Sequence, residues 1–387
     1  MNPNDFSRDS PGRLILIPEG VHAFIPDPLP ENLELSAATV STLSAADRSL
    51  GYLDAIGHSL PNPGLLVKPF LRREAELSSR IEGTFATQRD LLLFEVNPTG
   101  AGLTPDVREV ANYVTALEHG LKQLDKLPTS LRLIRELHKR LMNGVRGQMQ
   151  RAGEFRQVQN FIGQSHEPIG RARYVPPPAI EALKCLNNLE LALHKDISLP
   201  PLVQLAMIHY QFEAIHPFED GNGRIGRLIL PLILSEKGLL SKPLLHLSAY
   251  FERHRNEYYD HLLQVSQRAS WQAWIQFFLR GVHEQARVAA HKCHNLLILR
   301  QKFQEKIREK RASALAAILV DHLFRSPAIT VSLAQALLKV TYPSANLAVQ
   351  RLVEAGILSE TSGQKRYRMW LAPEILSVLS PSSETEP

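Results

Sequence analysis

The stretch His216-Pro217-Phe218-Glu219-Asp220-Gly221-Asn222-Gly223-Arg224-Ile225-Gly226-Arg227 decides how the rest of the chain is read. A histidine, an acid and two arginines flank a Gly-Asn-Gly turn. The turn runs into an apolar segment (Leu228, Ile229, Leu230, Leu232, Ile233) that predicts a helix. Glycines at a helix start leave backbone N–H groups pointing at an anion, and the helix dipole favours negative charge there. Arg224 and Arg227 are three apart, hence on one face of the first turn, where forked donors can hold phosphate oxygens. Asp220 suits Mg²⁺, a hard cation that takes one or two carboxylates together with substrate phosphates. His216 is then free to act as a base. Gly221 to Gly226 also fits the dinucleotide fingerprint G-x-G-x-x-G, but that pattern needs a buried strand before it and an acid about twenty residues later. The preceding segment instead carries Leu202, Leu205, Ile208 and Phe212 at helical spacing, with Pro200 and Pro201 in the first turn.

Working outward, His216, Phe218, Asp220, Gly221, Asn222, Gly223, Arg224 and Arg227 resemble the Fic family motif His-x-Phe-x-Asp/Glu-Gly-Asn-Gly-Arg-x-x-Arg, without departure. The resemblance implies transfer of AMP from ATP to Tyr, Thr or Ser hydroxyls of target proteins and of the chain itself. In that reading His216 is the base, Asp220 holds Mg²⁺, and the backbone of Gly221, Asn222 and Gly223 takes the α-phosphate with the Asn222 side chain assisting. Arg224 and Arg227 grip the β- and γ-phosphates, and Phe218 anchors the loop. Upstream, a helix expected over Leu66 to Glu82 ends in Ser78-Ser79-Arg80-Ile81-Glu82-Gly83. Gly83 is a natural C-cap, and Glu82 sits where the helix dipole disfavours a carboxylate, so it wants a cation from elsewhere. Ser78, Glu82 and Gly83 are similar to the inhibitory-helix motif Ser/Thr-x-x-x-Glu-Gly/Asn of the same family. This likeness implies that Glu82 pairs with Arg227 and denies it to the γ-phosphate. Removal of AMP from modified protein, or transfer from another nucleotide donor, are the alternatives on the same site.

The 387 residues are 44% hydrophobic and 21% charged, an ordinary globular composition with length for two or three domains. A net charge of +5 is well short of a dedicated nucleic-acid arm. Two cysteines, Cys185 and Cys293, exclude a disulfide framework or a Cys-rich zinc site, and a reducing cytoplasm fits them best. Leu14 to Ile17 is too short for a signal core and no stretch reaches membrane-spanning length, so no membrane partner is expected.

The expected fold is mainly α: a Fic-like helical core with a small β-hairpin flap, followed by a winged helix-turn-helix unit. Residues 1–100 hold a proline-rich arm (Pro18, Pro26, Pro28, Pro30) lying extended on the surface, a helix from Ala37 to Leu60 ended by Pro61-Asn62-Pro63-Gly64, and the inhibitory helix. Residues 101–250 form the core. Here Thr104 caps one helix with Pro105 in its first position, and Ser130 caps a second with Leu133, Ile134, Leu137 and Leu141 facing inward. Gly153 to Pro178 breaks the helical pattern and reads as a hairpin or flap, which by the resemblance docks the target as an added strand. Residues 251–311 connect, through helices at Ser248 to Leu263 and Trp271 to Ala286 and an exposed linker helix at Gln301 to Arg311. In 312–379, three helices precede a basic hairpin (Lys365, Arg366, Arg368), an order resembling a winged helix whose third helix enters a DNA major groove. The face Ser344, Asn346, Gln350 and Arg351 is only weakly basic, so protein contact is the alternative, and a nucleotide-sensing regulator is the rival to an enzyme. A homodimer is compatible with the sequence. The tail 380–387 is polar and expected to be disordered. His166, His283, His291, Cys293 and His294 show no coherent ligand spacing and are assigned no chemistry.

Overall fold

Two helices that are apolar on every side form the centre of the molecule. The computed structural model describes residues 1–59, 63–96, 104–145, 151–163, 167–195, 197–309, 314–361 and 368–380. In chain order these form β1 (Gly12–Leu16), β2 (His22–Pro26), α1 (Ala37–Ser59), α2 (Pro63–Ile81), α3 (Gln88–Val96), α4 (Pro105–Gln123), α5 (Leu131–Leu141), α6 (Ala179–His194), α7 (Pro201–Ile215), α8 (Asn222–Glu236), α9 (Ser248–Arg253), α10 (Arg255–Arg268) and α11 (Trp271–Glu309). There follow α12 (Ala314–Arg325), β3 (Ala328–Thr330), α13 (Val331–Leu338), α14 (Tyr342–Glu354), β4 (Ser359–Glu360), β5 (Met369–Leu371) and α15 (Pro373–Leu379). The fold is mainly helical, as the periodicity requires. His166, the wing turn at Ser362-Gly363 with Lys365 and Arg366, and the tail from 381 lie outside the described residues.

The centre is α7 and α8. Leu202, Leu205, Ile208 and Phe212 on α7 are buried, and so are Val203, Ala206 and Met207 on its other faces. On α8 burial runs without a gap from Asn222 and Arg224 through Leu234. A helix buried on all sides has no freedom to rotate, so the loop joining these two is held at both ends. The cap readings on α4 and α5 correspond to hydrogen bonds: Thr104 Oγ1 accepts from Val107 N at 3.3 Å and Ser130 Oγ from Leu133 N at 3.4 Å. Around the centre, α4 and α5 pack on α8, α1 lies along α11, and α2 is wedged among α4, α9 and α12.

Four expectations need correction. The N-terminal arm is a β-hairpin, with Gly12 to Leu16 paired antiparallel to His22 to Pro26. Ala23, Phe24 and Ile25 are buried, and Phe24 N donates to Val175 O at 2.9 Å, so the segment completes the core where a surface wrap was expected. Among its described residues the flap at Gly153 to Pro178 holds a single bridge, Ile162 to Tyr174, and a 3₁₀ turn at Ile169–Arg171, and is otherwise irregular. The helix expected over Ser248 to Leu263 breaks at His254 into α9 and α10. The exposed linker helix is the continuation of α11, because Phe303 and Ile307 extend the buried stripe of Leu296 and Leu299.

Among the described residues the C-terminal elements form four helices, α12 to α15, and an antiparallel sheet of order β3-β5-β4. They sit directly on the rest of the chain. Buried Arg72 of α2 donates to both carboxylate oxygens of Glu95 on α3, and its Nη1 donates to Arg325 O at the end of α12 at 3.0 Å. Leu92 of α3 packs with Ala328, Met369 and Leu371 of the sheet. Among the described residues no helix is long and apolar enough to cross a membrane.

Candidate active site

The loop between α7 and α8 turns through two left-handed residues. His216 ends α7 at φ 50°, ψ 60°, and Gly221 precedes α8 at φ 76°, ψ 8°. Gly221 adopts this conformation without strain, whereas at His216 it costs on the order of 1 kcal/mol and must be held by its surroundings. Three side chains hold the loop. Asn222 uses both ends of its amide internally: Oδ1 accepts from Phe218 N at 2.7 Å and Nδ2 donates to Phe218 O at 2.8 Å. The Asn222 side chain thereby closes the loop on itself. Phe218 is fully buried and stacks on His138 of α5, with centroids 3.8 Å apart and planes 3° from parallel. Gly153 N donates to His138 Nδ1 at 2.9 Å, so the proton is on Nε2, which donates to Asp220 O at 3.0 Å. Burial pushes this imidazole down to about 4, which keeps it in that neutral form.

The first turn of α8 presents the anion site. The N–H groups of Asn222, Gly223 and Arg224 lie in its first turn, where no intrahelical acceptor exists. Arg224 is buried and its Nη1 donates to Glu109 of α4 at 3.2 Å, with Asp220 Oδ1 at 3.5 Å from Nη2. Arg227 is 1% exposed; its Nε donates to Ser78 Oγ at 3.0 Å, and its Nη2 to Ser78 O at 2.9 Å and to Glu82 Oε1 at 2.6 Å. Two guanidinium nitrogens are left over. Arg224 Nε and Arg227 Nη1 are buried and have no hydrogen-bond partner among the described residues. Burial opposes the charge on both sides of the Arg227–Glu82 pair. Their mutual attraction outweighs it, raising the guanidinium further above its ordinary value and holding the Glu82 carboxylate below its own.

A cavity of about 810 Å³ opens at the motif loop, lined by Glu82, Glu213, His216, Asp220, Gly223 and Tyr259 and by Ile162 and Gly163 of the flap, among others. The His216 imidazole is pushed down to about 4, first by burial and then by Arg156, with Glu82 and Asp220 pulling the other way, so it is a neutral proton acceptor at physiological pH. Its Nδ1 is buried and without a hydrogen-bond partner among the described residues. The Asp220 side chain is 53% exposed. No cluster of three or more His, Cys, Asp or Glu among the described residues could hold a metal by protein ligands alone. A lone half-exposed carboxylate fits Mg²⁺, which keeps waters and shares its sphere with substrate phosphates.

Several residues of the site escaped the sequence reading. Glu109, His138 and Arg156 come from distant elements. Glu213, one turn before His216, lies against Gly226, where a Cβ would come 2.1 Å from its Oε1. Burial pushes its carboxyl up to about 7. His209 donates from Nδ1 to Gly226 O at 3.1 Å and accepts from Tyr258 at 2.7 Å, fixing the second turn of α8. His138 carried a signal, a polar residue among Leu137, Ile134 and Leu141 on an apolar stripe, that reads equally as core.

Residues 40–122 match the N-terminal region of the Fic/DOC family, and residues 128–234 match the Fic/DOC family domain. The stretch matched to the Fic/DOC family domain holds the motif loop and most of α8, and the stretch matched to the family's N-terminal region holds α2 with Ser78 and Glu82. The chain is 31% identical over 150 residues to protein adenylyltransferase Fic of Aedes aegypti, an alignment covering 38% of this chain and 26% of that protein. Over 70 residues it is 37% identical to a probable protein adenylyltransferase of Aquifex aeolicus, covering 18% of this chain and 22% of that one. The chain thus spans about a quarter of these relatives. A solved Fic family protein from Desulfovibrio desulfuricans superposes with a TM-score of 0.58 at 19% identity, covering 88% of this chain and 97% of the other, which establishes the shared fold.

Proposed function

We propose that the chain is a protein adenylyltransferase: it moves AMP from ATP to a hydroxyl side chain of a target protein, or of itself, under restraint by Glu82. The observation that carries the reading is the pair of buried guanidinium nitrogens without acceptors, Arg224 Nε and Arg227 Nη1, beside the free amides of the first α8 turn. Buried donors of this kind are costly unless an anion completes them, and phosphates do so. In support, the stretch 128–234 that matches the Fic/DOC family domain contains this site, and relatives named protein adenylyltransferase are about 30% identical to the chain over some 150 residues.

In the mechanism, the neutral imidazole of His216 takes the proton of the acceptor hydroxyl as its oxygen bonds to the α-phosphorus. The bond from that phosphorus to the leaving pyrophosphate breaks. The amides around Asn222 and Gly223 stabilise charge on the α-phosphate oxygens, and the arginines hold the β- and γ-phosphates. Asp220 would hold Mg²⁺, which supplies positive charge against the phosphate oxygens. Glu82 occupies an Arg227 donor that the γ-phosphate needs, which lowers ATP affinity until α2 lets go. The flap, with Ile162 and Gly163 over the cavity, presents the acceptor. The C-terminal unit, read as a winged helix over 312–379, serves as a contact module attached to α2 and α3.

The test uses wild type, Glu82→Gly and His216→Ala with Mg²⁺ and ATP labelled at the α- or the γ-phosphate. Label from the α-position alone, stronger in Glu82→Gly and lost in His216→Ala, is the expected result. Label from the γ-position would make the chain a kinase, and full transfer by His216→Ala would remove the base.

A further inference from the structure

Arg156 is a charged residue that the mechanism has not used. Its side chain is 3% exposed, and it forms no ion pair with a carboxylate among the described residues. Its guanidinium instead donates to four backbone carbonyls. Nε reaches His216 O at 2.9 Å, Nη1 reaches Val158 O at 3.1 Å, and Nη2 serves Pro177 O and, at 3.5 Å, Ile215 O. Its own amide donates to Pro217 O at 2.9 Å. Two neighbours repeat the pattern. Asn160 Nδ2 donates to Phe218 O at 2.9 Å and His216 O at 3.4 Å, and Gln159 Nε2 donates to Pro176 O at 2.9 Å. A buried guanidinium left without a carboxylate is costly, so the carbonyls it collects must be ones whose position matters to the fold or to the chemistry.

Those carbonyls belong to two places. Ile215 and His216 form the left-handed end of α7, which a histidine does not adopt without support. Val158 and Pro177 stand toward the two ends of the flap, whose Phe161, Ile162, Gly163 and Tyr174 line the cavity. We propose that Arg156 is a positioning residue for His216, its guanidinium tying the carbonyl of that histidine to both ends of the flap so that imidazole and presented acceptor keep one register. The inference rests on His216 as the base and on the flap as the acceptor's seat. Arg156 does not line the cavity, so it acts on His216 through the carbonyls it holds and through its charge. Its charge works in the same direction, since burial brings the guanidinium only down to about 10 and leaves it a cation beside an imidazole that must be neutral to accept a proton. Lysine keeps the charge but offers a point donor in place of a planar fork, and cannot span carbonyls on two segments at once.

The full-length Glu82→Gly chain is the parent for the test, carrying Arg156→Lys or Arg156→Gln. Transfer of α-label at saturating ATP is measured with affinity for a fluorescent ATP analogue. A displacement of catalytic groups by an ångström costs on the order of 10²-fold in rate. The expected result is a rate loss of about tenfold in Arg156→Lys and about 10²-fold in Arg156→Gln, with ATP affinity within about threefold of the parent. Equal losses of rate and ATP affinity, or a rate within about twofold of the parent in both variants, overturn the inference. If Arg156→Gln melts below the assay temperature, Arg156→Lys decides alone. His216→Ala runs alongside: if it is inactive while the Arg156 variants are normal, only the positioning role falls. If His216→Ala is fully active, the base reading falls with it.

Discussion

Replacing Glu82 by glycine removes one contact, Arg227 Nη2 to Glu82 Oε1 at 2.6 Å, and the structure lets its worth be bounded. A charge-assisted hydrogen bond contributes about 1.5–3 kcal/mol net. The Arg227 side chain is 1% exposed but that of Glu82 is 34% exposed, so screening takes the figure to the lower end, about 1.5 kcal/mol. Glu82 lies one residue past the end of α2, so glycine there takes nothing from the helix. Arg227 also stays tethered, because Ser78 keeps two of its donors through Oγ and its carbonyl. The substitution therefore redirects one donor without releasing the guanidinium. ATP should bind about tenfold tighter, at roughly 1.4 kcal/mol per decade, and transfer should rise by at least that factor. Without nucleotide the variant leaves a buried cation short of its carboxylate and should melt below wild type, and saturating ATP should narrow that gap. Isothermal titration with ATP, transfer of α-label and melting with and without ATP measure all three. ATP affinity within twofold of wild type in both Glu82→Gly and Glu82→Gln, with no rise in transfer, would refute the clamp.

Asn222→Ala leaves the buried N–H of Phe218 without its acceptor, while Phe218 O keeps Asn160 Nδ2, which should cost about 1–3 kcal/mol of stability in urea unfolding and abolish ATP binding. Gly223→Ala puts a methyl 2.3 Å from Glu82 Oε1 and 2.9 Å from Arg227 Nη1, so it should disrupt the clamp yet weaken ATP binding by about tenfold or more in titration, because the methyl sits over the phosphate amides. The pH profile of kcat/KM reports the free enzyme. With His216 held at about 4, its acid limb should fall between pH 4 and 5, well below the ordinary imidazole range near 6.5. The sign for stability is the same: His138, His209 and His216 bind protons more weakly folded than unfolded, so each takes stability away as pH drops from 6.5 toward 4. The raised carboxyls of Glu74 and Glu213 work in the opposite direction as pH falls from 7 toward 4.5.

Much of the fold was legible because its signals are local. The helical periods of α4, α5, α7 and α8, with the caps at Thr104 and Ser130, depend on spacings of three and four residues. The motif loop was legible for the same reason: its glycines, acid and arginines lie within twelve residues. Elements failed to read where the deciding partner is far along the chain. The β2 run Ala23-Phe24-Ile25 does not alternate, because it is buried between the N-terminal segment, with Phe6 on Phe24, and residues about 150 positions on, with Tyr174 on Phe24 and Val175 beside Ala23, and the flanking prolines mimic a loop. The break at His254 has neither proline nor glycine to mark it. In α11 the stripe Leu296, Leu299, Phe303, Ile307 was present, but the charges of Gln301 to Arg311 concealed it. In the site, Arg156 had no local cue at all, since its value lies in carbonyls contributed by residues 158, 177, 215 and 216. Glu213 was one turn from His216 on the same helix and could have been found by that spacing.

Gly223 faces two demands with one missing side chain: it bares the amides at the head of α8, and it makes the room that Glu82 Oε1 and Arg227 Nη1 occupy. Under the proposed function, restraint and turnover share the same small space, and a lineage could not fill it to shed the first without forfeiting the second. A genetic selection for unrestrained variants should therefore return changes at Glu82 and along α2, with Gly223 untouched, and reversion should be a one-residue event on that helix. On that proposal, the hereditary path between a silent and an active form is short, and it runs through the N-terminal region.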